Sequence, residues 1–244
     1  MLSFIVPAYN EELELPSAIA AIRTAAAKPD EPYEIIVVDD ASADATAQIA
    51  TSAGAQVVSI NRRHIAAARN AGARAACGEI LFFVDADTQI HPNHVTAAIA
   101  ALKAGYSGGS ARVLPGGVIP FWARILVKIF CAVYFANNLG AGAFLFTTRE
   151  NLNAVGGFDE QFFIGEEVYL SQALKKLGRF KILPEPVLTS GRKLRMYPAL
   201  HILSRTLGII IRGPRAARSR DKLDLWYDGK RENHSRISSR GFRR

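Results

Sequence analysis

Four short apolar runs in the first 84 residues constrain this chain more than any other feature. Leu2-Ser3-Phe4-Ile5-Val6, Glu34-Ile35-Ile36-Val37-Val38, Gln56-Val57-Val58-Ser59-Ile60 and Glu79-Ile80-Leu81-Phe82-Phe83-Val84 have strand length and β-forming content. Between them lie stretches of helical character. Glu12 to Ala27 places Leu15, Ile19 and Ile22 near helical spacing, Ala43 to Ala53 follows Ser42 as its cap, and a third helix runs from Ile65 to about Ala76. Pro92 to Ala104 adds a fourth, opening on a proline that the first turn tolerates. Strands alternating with helices predict βα units stacked on a mostly parallel sheet, with the Val84 run central and the first strand stopped by Pro7.

Ligands of open α/β sheets bind beyond the carboxyl ends of the strands, and polar residues concentrate there in this chain. Asn10 and Glu11 follow the first strand, Asp39 and Asp40 the second, and Asp85 and Asp87 the fourth. Carboxylates converging on one crevice repel one another unless a cation or a ligand's donors answer them. Asp85-Ala86-Asp87 is the sharpest signal. Two carboxylates so spaced can both reach a hard divalent cation, and Mg²⁺ takes one or two carboxylates together with substrate phosphates; a polar turn is the plain structural alternative. Within Asp39-Asp40-Ala41-Ser42-Ala43-Asp44 a carboxylate can accept from a base or ribose, or Asp40 or Ser42 can cap the next helix. Neither GxGxxG nor a Walker A pattern occurs, which counts against a dehydrogenase and a P-loop NTPase. His91 and His94 flank Pro92 and are read as surface histidines rather than metal ligands.

At 244 residues, 49% hydrophobic and 21% charged, the composition is that of a globular protein with a sizeable core. Cys77 and Cys131 form neither a disulfide framework nor a CxxC pair. With no signal-peptide pattern at the start, a cytoplasmic setting is expected, peripheral to the inner membrane face if lipid is bound. The net charge of +8 is concentrated at one end: Arg212 to Arg244 holds 11 Lys/Arg against 4 Asp/Glu, while the preceding 211 residues hold 19 and 18. This basic tail is read as a solvated extension, with contact to anionic lipid or nucleic acid as the functional alternative; of these partners, nucleic acid is not expected. Val118 to Phe135 is strongly apolar but carries Arg124 and Lys128, too much charge for a spanning helix. It is read as an amphipathic helix in the core or an intramolecular groove, with a membrane surface as the other place for it.

Taken in order, Val6-Pro7-Ala8-Tyr9-Asn10-Glu11-Glu12, Val37-Val38-Asp39-Asp40-Ala41-Ser42-Ala43-Asp44, Ala68-Arg69-Asn70-Ala71-Gly72 and Val84-Asp85-Ala86-Asp87 resemble the motifs of family 2 glycosyltransferases. The resemblance covers about residues 1 to 195. It implies an α/β chain of GT-A fold: a Rossmann-like, mostly parallel central sheet flanked by helices, with a smaller acceptor-side region. Residues 1–211 would form a single domain, about 1–110 its nucleotide-binding half and 111–211 its acceptor half, followed by the tail at 212–244. The implied reaction transfers a sugar from a nucleotide-sugar donor to an acceptor hydroxyl, with inversion and with Mg²⁺ or Mn²⁺. Residues matching Pro7, Tyr9, Glu11, Asp39 or Asp40, and Arg69 would surround the nucleotide, and Asp85 and Asp87 would hold its diphosphate through the metal. The processive members' Gln-x-x-Arg-Trp motif is absent, which argues for non-processive transfer.

Further motifs agree with that resemblance. Gly156-Gly157-Phe158-Asp159-Glu160 resembles the family's Gly-Gly-Phe-Asp turn near the acceptor. Glu166-Glu167 stands where the family has Glu-Asp, whose second acid is the catalytic base; Glu167 takes that place here, with Glu166 still open. Both acids also suit the first turn of a helix running to about Leu177. Arg192 and Lys193 could clamp the diphosphate, because guanidinium forks match phosphate oxygens. A lipid-linked or membrane-proximal acceptor is suggested by the Val118–Phe135 stretch together with the tail. Two rival readings are a nucleotidyltransferase, which would want a Gly-rich basic loop where this chain has Ala8-Tyr9-Asn10-Glu11, and a non-catalytic binding module tethered by the tail.

Overall fold

The computed structural model describes residues 1–213, 217–219 and 223. Strand β1 (Leu2–Ala8) lies between β2 (Tyr33–Asp40) and β4 (Ile80–Val84), parallel to both, and β3 (Gln56–Ile60) extends the parallel run beyond β2. Helices α1 (Leu15–Ala26), α2 (Thr46–Ser52) and α3 (Ile65–Ala75) make the crossovers. Past β4 the sheet changes direction through β7 (Phe144–Thr148), β6 (Tyr106–Gly116), β8 (Arg179–Ser190) and β5 (Thr88–Gln89). The order among the described residues is β3-β2-β1-β4-β7-β6-β8-β5, with four of the seven neighbouring pairs parallel. Helix α4 (Pro92–Lys103) joins β5 to β6. The Asp85–Asp87 turn therefore leaves the last parallel strand where the antiparallel half begins, at a break in the sheet pattern where open α/β sheets take ligands.

Strand alternation divides the core between two faces of the sheet. Phe4, Phe82, Phe144 and Phe146 form one layer with Leu15, Ile19 and Ile22 of α1 and Val95 and Ile99 of α4. Ile5, Ile36, Leu81 and Phe83 form the other, with α3 and residues Leu170 and Leu174 of α7 (Glu166–Leu177). Helix α3 can approach the sheet because position 72 is glycine: a Cβ there would stand 2.4 Å from Ile5 Cγ2.

Several expectations change in detail. Pro7 does not end β1; it pairs in register with Val38, while the β1–β4 pairing stops at Ile5. Beyond that point its missing N–H faces no partner strand on the β4 side, which is where a strand tolerates proline. Helix α1 starts at Leu15 rather than Glu12, because the Glu12 carboxylate is drawn to the Ala45 N–H in the loop after β2. Helix α2 starts at Thr46 and not Ala43: Ser42 accepts the Asn10 N–H instead of capping, and Asp44 accepts the Thr46 N–H. His94 is buried rather than on the surface, its Nδ1 accepting the His91 N–H at 2.9 Å.

Helix α5 (Phe121–Ala136) also departs from the core reading. It buries Ala123 but leaves Phe121, Ile125 and Ile129 exposed. Helices α6 (Arg149–Ala154), α8 (Arg192–Met196) and α9 (Ala199–Arg212) complete the set. No described helix is long and apolar enough to cross a membrane. Of the 212–244 segment, Ala217 accepts the Phe163 N–H at 2.7 Å, Arg218 lies over the Phe162 ring, and Leu223 is buried. Most of that segment lies outside the described residues.

Candidate active site

A cleft of about 320 Å³ opens beyond the carboxyl ends of β1, β2 and β4, lined by Pro7, Tyr9, Glu11, Asp40, Arg69, Asp85, Asp87, Glu166, Glu167, Arg192 and Lys193 among others. One expected residue stands apart. Asp39, at the end of β2, turns its carboxylate to the Ser42 N–H and does not line the cleft.

The acids are answered by two arginines that the chain brings in from far away. Arg69, on α3, is 1% exposed; its guanidinium donates to Asp85 Oδ1 at 2.8 Å, to Glu166 Oε1 at 2.5 Å and to the Gly142 carbonyl at 3.0 Å. Gly142 permits this approach, since a Cβ there would lie 2.8 Å from Arg69 Nη2. Arg192, at the start of α8, forms a two-pronged pair with Glu11 at 2.5 and 2.6 Å and reaches Asp87 at 3.4 Å. Asp87 also accepts from the Thr189 hydroxyl at the end of β8. The repulsion expected between strand-end acids is thus met by a fork of guanidinium donors on each side.

Asp40 has a different local task. Its two carboxylate oxygens accept the backbone N–H groups of Arg62, Arg63 and His64 at 2.7 to 2.8 Å, fixing the loop that starts α3. It caps that loop and not the helix that follows it in sequence. Arg63 is held over the Tyr9 ring, and His64 packs against Phe163. The adjacent Asn70 exchanges hydrogen bonds with the Phe158 backbone at 2.8 and 2.9 Å, so α3 positions the Gly156–Asp159 turn as well as Arg69. Gly157, with φ of 80°, sits where a Cβ would meet the side-chain Oδ1 of Asn70 at 2.8 Å.

His64, Gly142, Phe163, Met196 and Tyr197 line the cleft without having been anticipated. Glycine at 142 in an otherwise ordinary loop was the only available hint. Arg149 is a further unforeseen anchor. It donates to the carbonyls of Ala73, Ala76 and Gly78, closing the end of α3 and the approach to β4.

Electrostatics in the cleft follow from one guanidinium facing three carboxylates. Burial, then repulsion from Glu167, pushes Glu166 up to about 8 despite the opposing Arg69. Burial also raises Glu167, against the pull of Arg69. Asp85 is raised by burial and by Asp87, again with Arg69 opposing. Burial works against Arg69 and Arg192, but their acidic partners outweigh it and hold both more firmly protonated than usual. A native carboxyl that keeps its proton while its unfolded counterpart loses it makes stability fall as pH rises. We therefore expect the ligand-free melting temperature to decline between about pH 4.5 and 8, the ordinary and raised values for Glu166. Glu166→Gln should flatten that decline when melting is followed across the range.

Among the described residues, no group of three or more His, Cys, Asp or Glu side chains could hold a metal by itself. The Asp85–Asp87 turn offers two carboxylates, which is the donor set a Mg²⁺-like ion uses when phosphate oxygens supply the remainder. These residues fit a cation shared with a bound diphosphate.

The family model for Glycosyl transferase family 2 matches residues 3–156. The undecaprenyl-phosphate 4-deoxy-4-formamido-L-arabinose transferase of Serratia proteamaculans is 32% identical over 112 residues, covering 43% of this chain and 34% of that protein. Its namesake in Pseudomonas fluorescens is 33% identical over 112 residues, with 43% and 33% covered. The chain spans about a third of the length of these curated relatives. The mannosyltransferase PcManGT of Pyrobaculum calidifontis, solved with GDP-Man and Mn²⁺, superposes with a TM-score of 0.65 at 20% identity, covering 99% of this chain and 76% of that one. Glucosyl-3-phosphoglycerate synthase of Mycobacterium tuberculosis, solved with Mn²⁺, UDP and glucosyl-3-phosphoglycerate, gives 0.61 at 22% identity, with 93% and 80% covered. At these identities the structural likeness is one of fold, the GT-A fold. Because the matched segment contains nearly the whole parallel half and the Asp85–Asp87 turn, this chain belongs to glycosyl transferase family 2.

Proposed function

We propose that the protein transfers a sugar, with inversion and without processivity, from a nucleoside diphosphate sugar to a hydroxyl of a lipid-linked acceptor. The observation that carries this reading is the shared cleft, where the Asp85–Asp87 turn and the Glu166–Glu167 pair are joined by a single buried arginine, Arg69. In the reaction the acceptor oxygen bonds to the anomeric carbon, and the bond from that carbon to the diphosphate oxygen breaks. The bonding electron pair leaves on the diphosphate, and the acceptor proton passes to a Glu167 carboxylate oxygen. Glu167 suits that task because it is partly exposed in the cleft, whereas Glu166 is buried on Arg69. General-base assistance of this kind contributes about 10²- to 10⁴-fold. A divalent cation held by Asp85 and Asp87 would act as a Lewis acid toward the leaving diphosphate.

On the donor side, Tyr9 and Asp40 mark the nucleoside end of the cleft, with Arg63 over the Tyr9 ring. Arg192 and Lys193 offer cationic groups beside Asp87. The nucleotidyltransferase alternative loses support here, since the segment after β1 presents Glu11 bound to Arg192 instead of a basic phosphate loop. The relatives' name carries undecaprenyl phosphate, which supports a lipid-borne acceptor for this chain, while the hydroxyl is supported by Glu167, since a phosphate oxygen would need no base.

A thermal-shift panel of nucleoside diphosphates and their sugars tests the donor assignment. A ligand that binds only the native state stabilises by about 2.7 kcal/mol at a concentration one hundred times its Kd. The expected result is a clear shift with one nucleotide plus Mn²⁺ or Mg²⁺, little with the cation alone, and loss of the cation-dependent part in Asp87→Asn. Release of pyrophosphate from a nucleoside triphosphate and a sugar phosphate would refute the transfer reading.

A further inference from the structure

The outer surface of α5 has the wrong chemistry for water alone. Val118, just before the helix, is 89% exposed, Phe121 is 76% exposed, and Ile125 and Ile129 continue the same stripe at four-residue steps. Singly exposed apolar residues need no explanation, but a contiguous helical stripe of this kind marks a contact surface. Arg124 and Lys128 are exposed beside that stripe. The chain has no Asp or Glu between Asp87 and Glu150, and none between Glu185 and Asp221. Helix α9 lies in the second acid-free stretch and exposes Leu200 and Leu203. Within their own stretches of sequence, both helices carry basic charge only.

The position of this surface relative to the cleft is set at both ends of α5. Ahead of the helix, Arg195 of α8 donates to the Gly116 carbonyl, and a Cβ at Gly191 would lie 2.8 Å from Ile119. Arg192, Lys193 and Met196 of the same short helix line the cleft. At the far end the Tyr134 hydroxyl donates to the Gly140 carbonyl at 2.6 Å, two residues before the Gly142 carbonyl that receives Arg69. Both ends of α5 are thus tied to segments that line the cleft or hold its arginine.

We infer that the α5 face is a docking surface for an anionic lipid bilayer. Apolar side chains enter the headgroup boundary while Arg124 and Lys128 meet lipid phosphates, as interfacial helices with basic polar faces do. A second copy of the chain fits less well, because a two-fold contact would set these cations against their own images. Docking itself stands on the exposed side chains; only the identity of what the docked cleft meets rests on the lipid-acceptor reading.

Flotation of the full chain with vesicles of phosphatidylcholine, alone or mixed with phosphatidylglycerol, tests docking independently of transfer. Wild type is expected to float with the mixed vesicles and far less with the neutral ones. Arg124→Gln with Lys128→Gln should weaken partitioning about 30-fold, at about one lipid-facing charge each. Phe121→Ser, Ile125→Ser and Ile129→Ser together should weaken it at least about tenfold. All these side chains are exposed, so melting temperature and the nucleotide-induced shift should be retained. Absence of wild-type flotation would overturn the proposal. So would equal flotation of wild type and both variants, which would assign binding to other basic segments. A change of oligomeric state in the variants, read by light scattering without vesicles, would make the face a protein contact and overturn it as well.

Discussion

Arg69→Met is expected to lower stability by about 3–5 kcal/mol, the range found when one partner of a buried ion pair is removed. The loss is large because Arg69 serves three acceptors from inside the protein: Asp85, Glu166 and the Gly142 carbonyl. Methionine fills much of the volume but supplies no donor, so two acids remain in a site too dry to solvate both. Against a typical total of about 5–15 kcal/mol, the variant would be near the threshold of folding. Urea denaturation above pH 8, where Glu166 is ionised, would measure it as a fall in midpoint at unchanged slope. A double-mutant cycle with Glu166→Gln separates this cause from simple misfit. Neutralising one of the stranded acids should recover part of the loss, giving a coupling in the range found for residues in direct contact. Additive losses would show that the two side chains do not share an ion pair.

Glu167→Gln is expected to reduce kcat by about 10²- to 10⁴-fold while leaving the nucleotide-induced thermal shift intact. Glutamine keeps the size and a hydrogen-bonding oxygen but cannot accept a proton at neutral pH. An effect on kcat with KM for the donor little changed is the pattern of a group used only in the transition state. Glu166→Gln provides the contrast. With its carboxylate held against Arg69, its replacement should act on stability and on the pH dependence of melting more than on turnover. Steady-state kinetics of both variants at saturating donor would measure the difference. A larger kcat loss in Glu166→Gln would exchange the two roles.

Much of the parallel half was legible because strands and crossover helices leave local marks. The run Gln56 to Ile60 is a strand over the same residues, and the start of α3 at Ile65 and of α4 at Pro92 agree with the pattern. Helix starts at α1 and α2 were less legible. Glu12 and Ser42 spend hydrogen bonds across the two strand-end loops rather than on the nearest helix, and Asp44 divides its carboxylate between the Glu12 N–H and the helix start at Thr46; the cross-loop partners are 30 or more residues away in sequence. The outward side of α5 was ambiguous for a related reason: periodicity reports an apolar stripe but not whether anything covers it.

Composition and pattern alone determined the βα alternation, the acidic strand ends, the Asp85–Asp87 pair and the concentration of basic charge at one end of the chain. These are local properties, set by side-chain size, spacing and charge within a few residues. Only the tertiary structure decided which acid meets which arginine: Glu166 with Arg69, 97 residues apart, and Glu11 with Arg192, 181 apart. It also turned Asp40 toward a loop backbone, set Asp39 outside the cleft and left α5 uncovered. The physical reason is that a buried charge is tolerated only where packing brings it a counter-charge or a donor, and that proximity is produced by chain reversal and sheet order, which no short stretch of sequence contains.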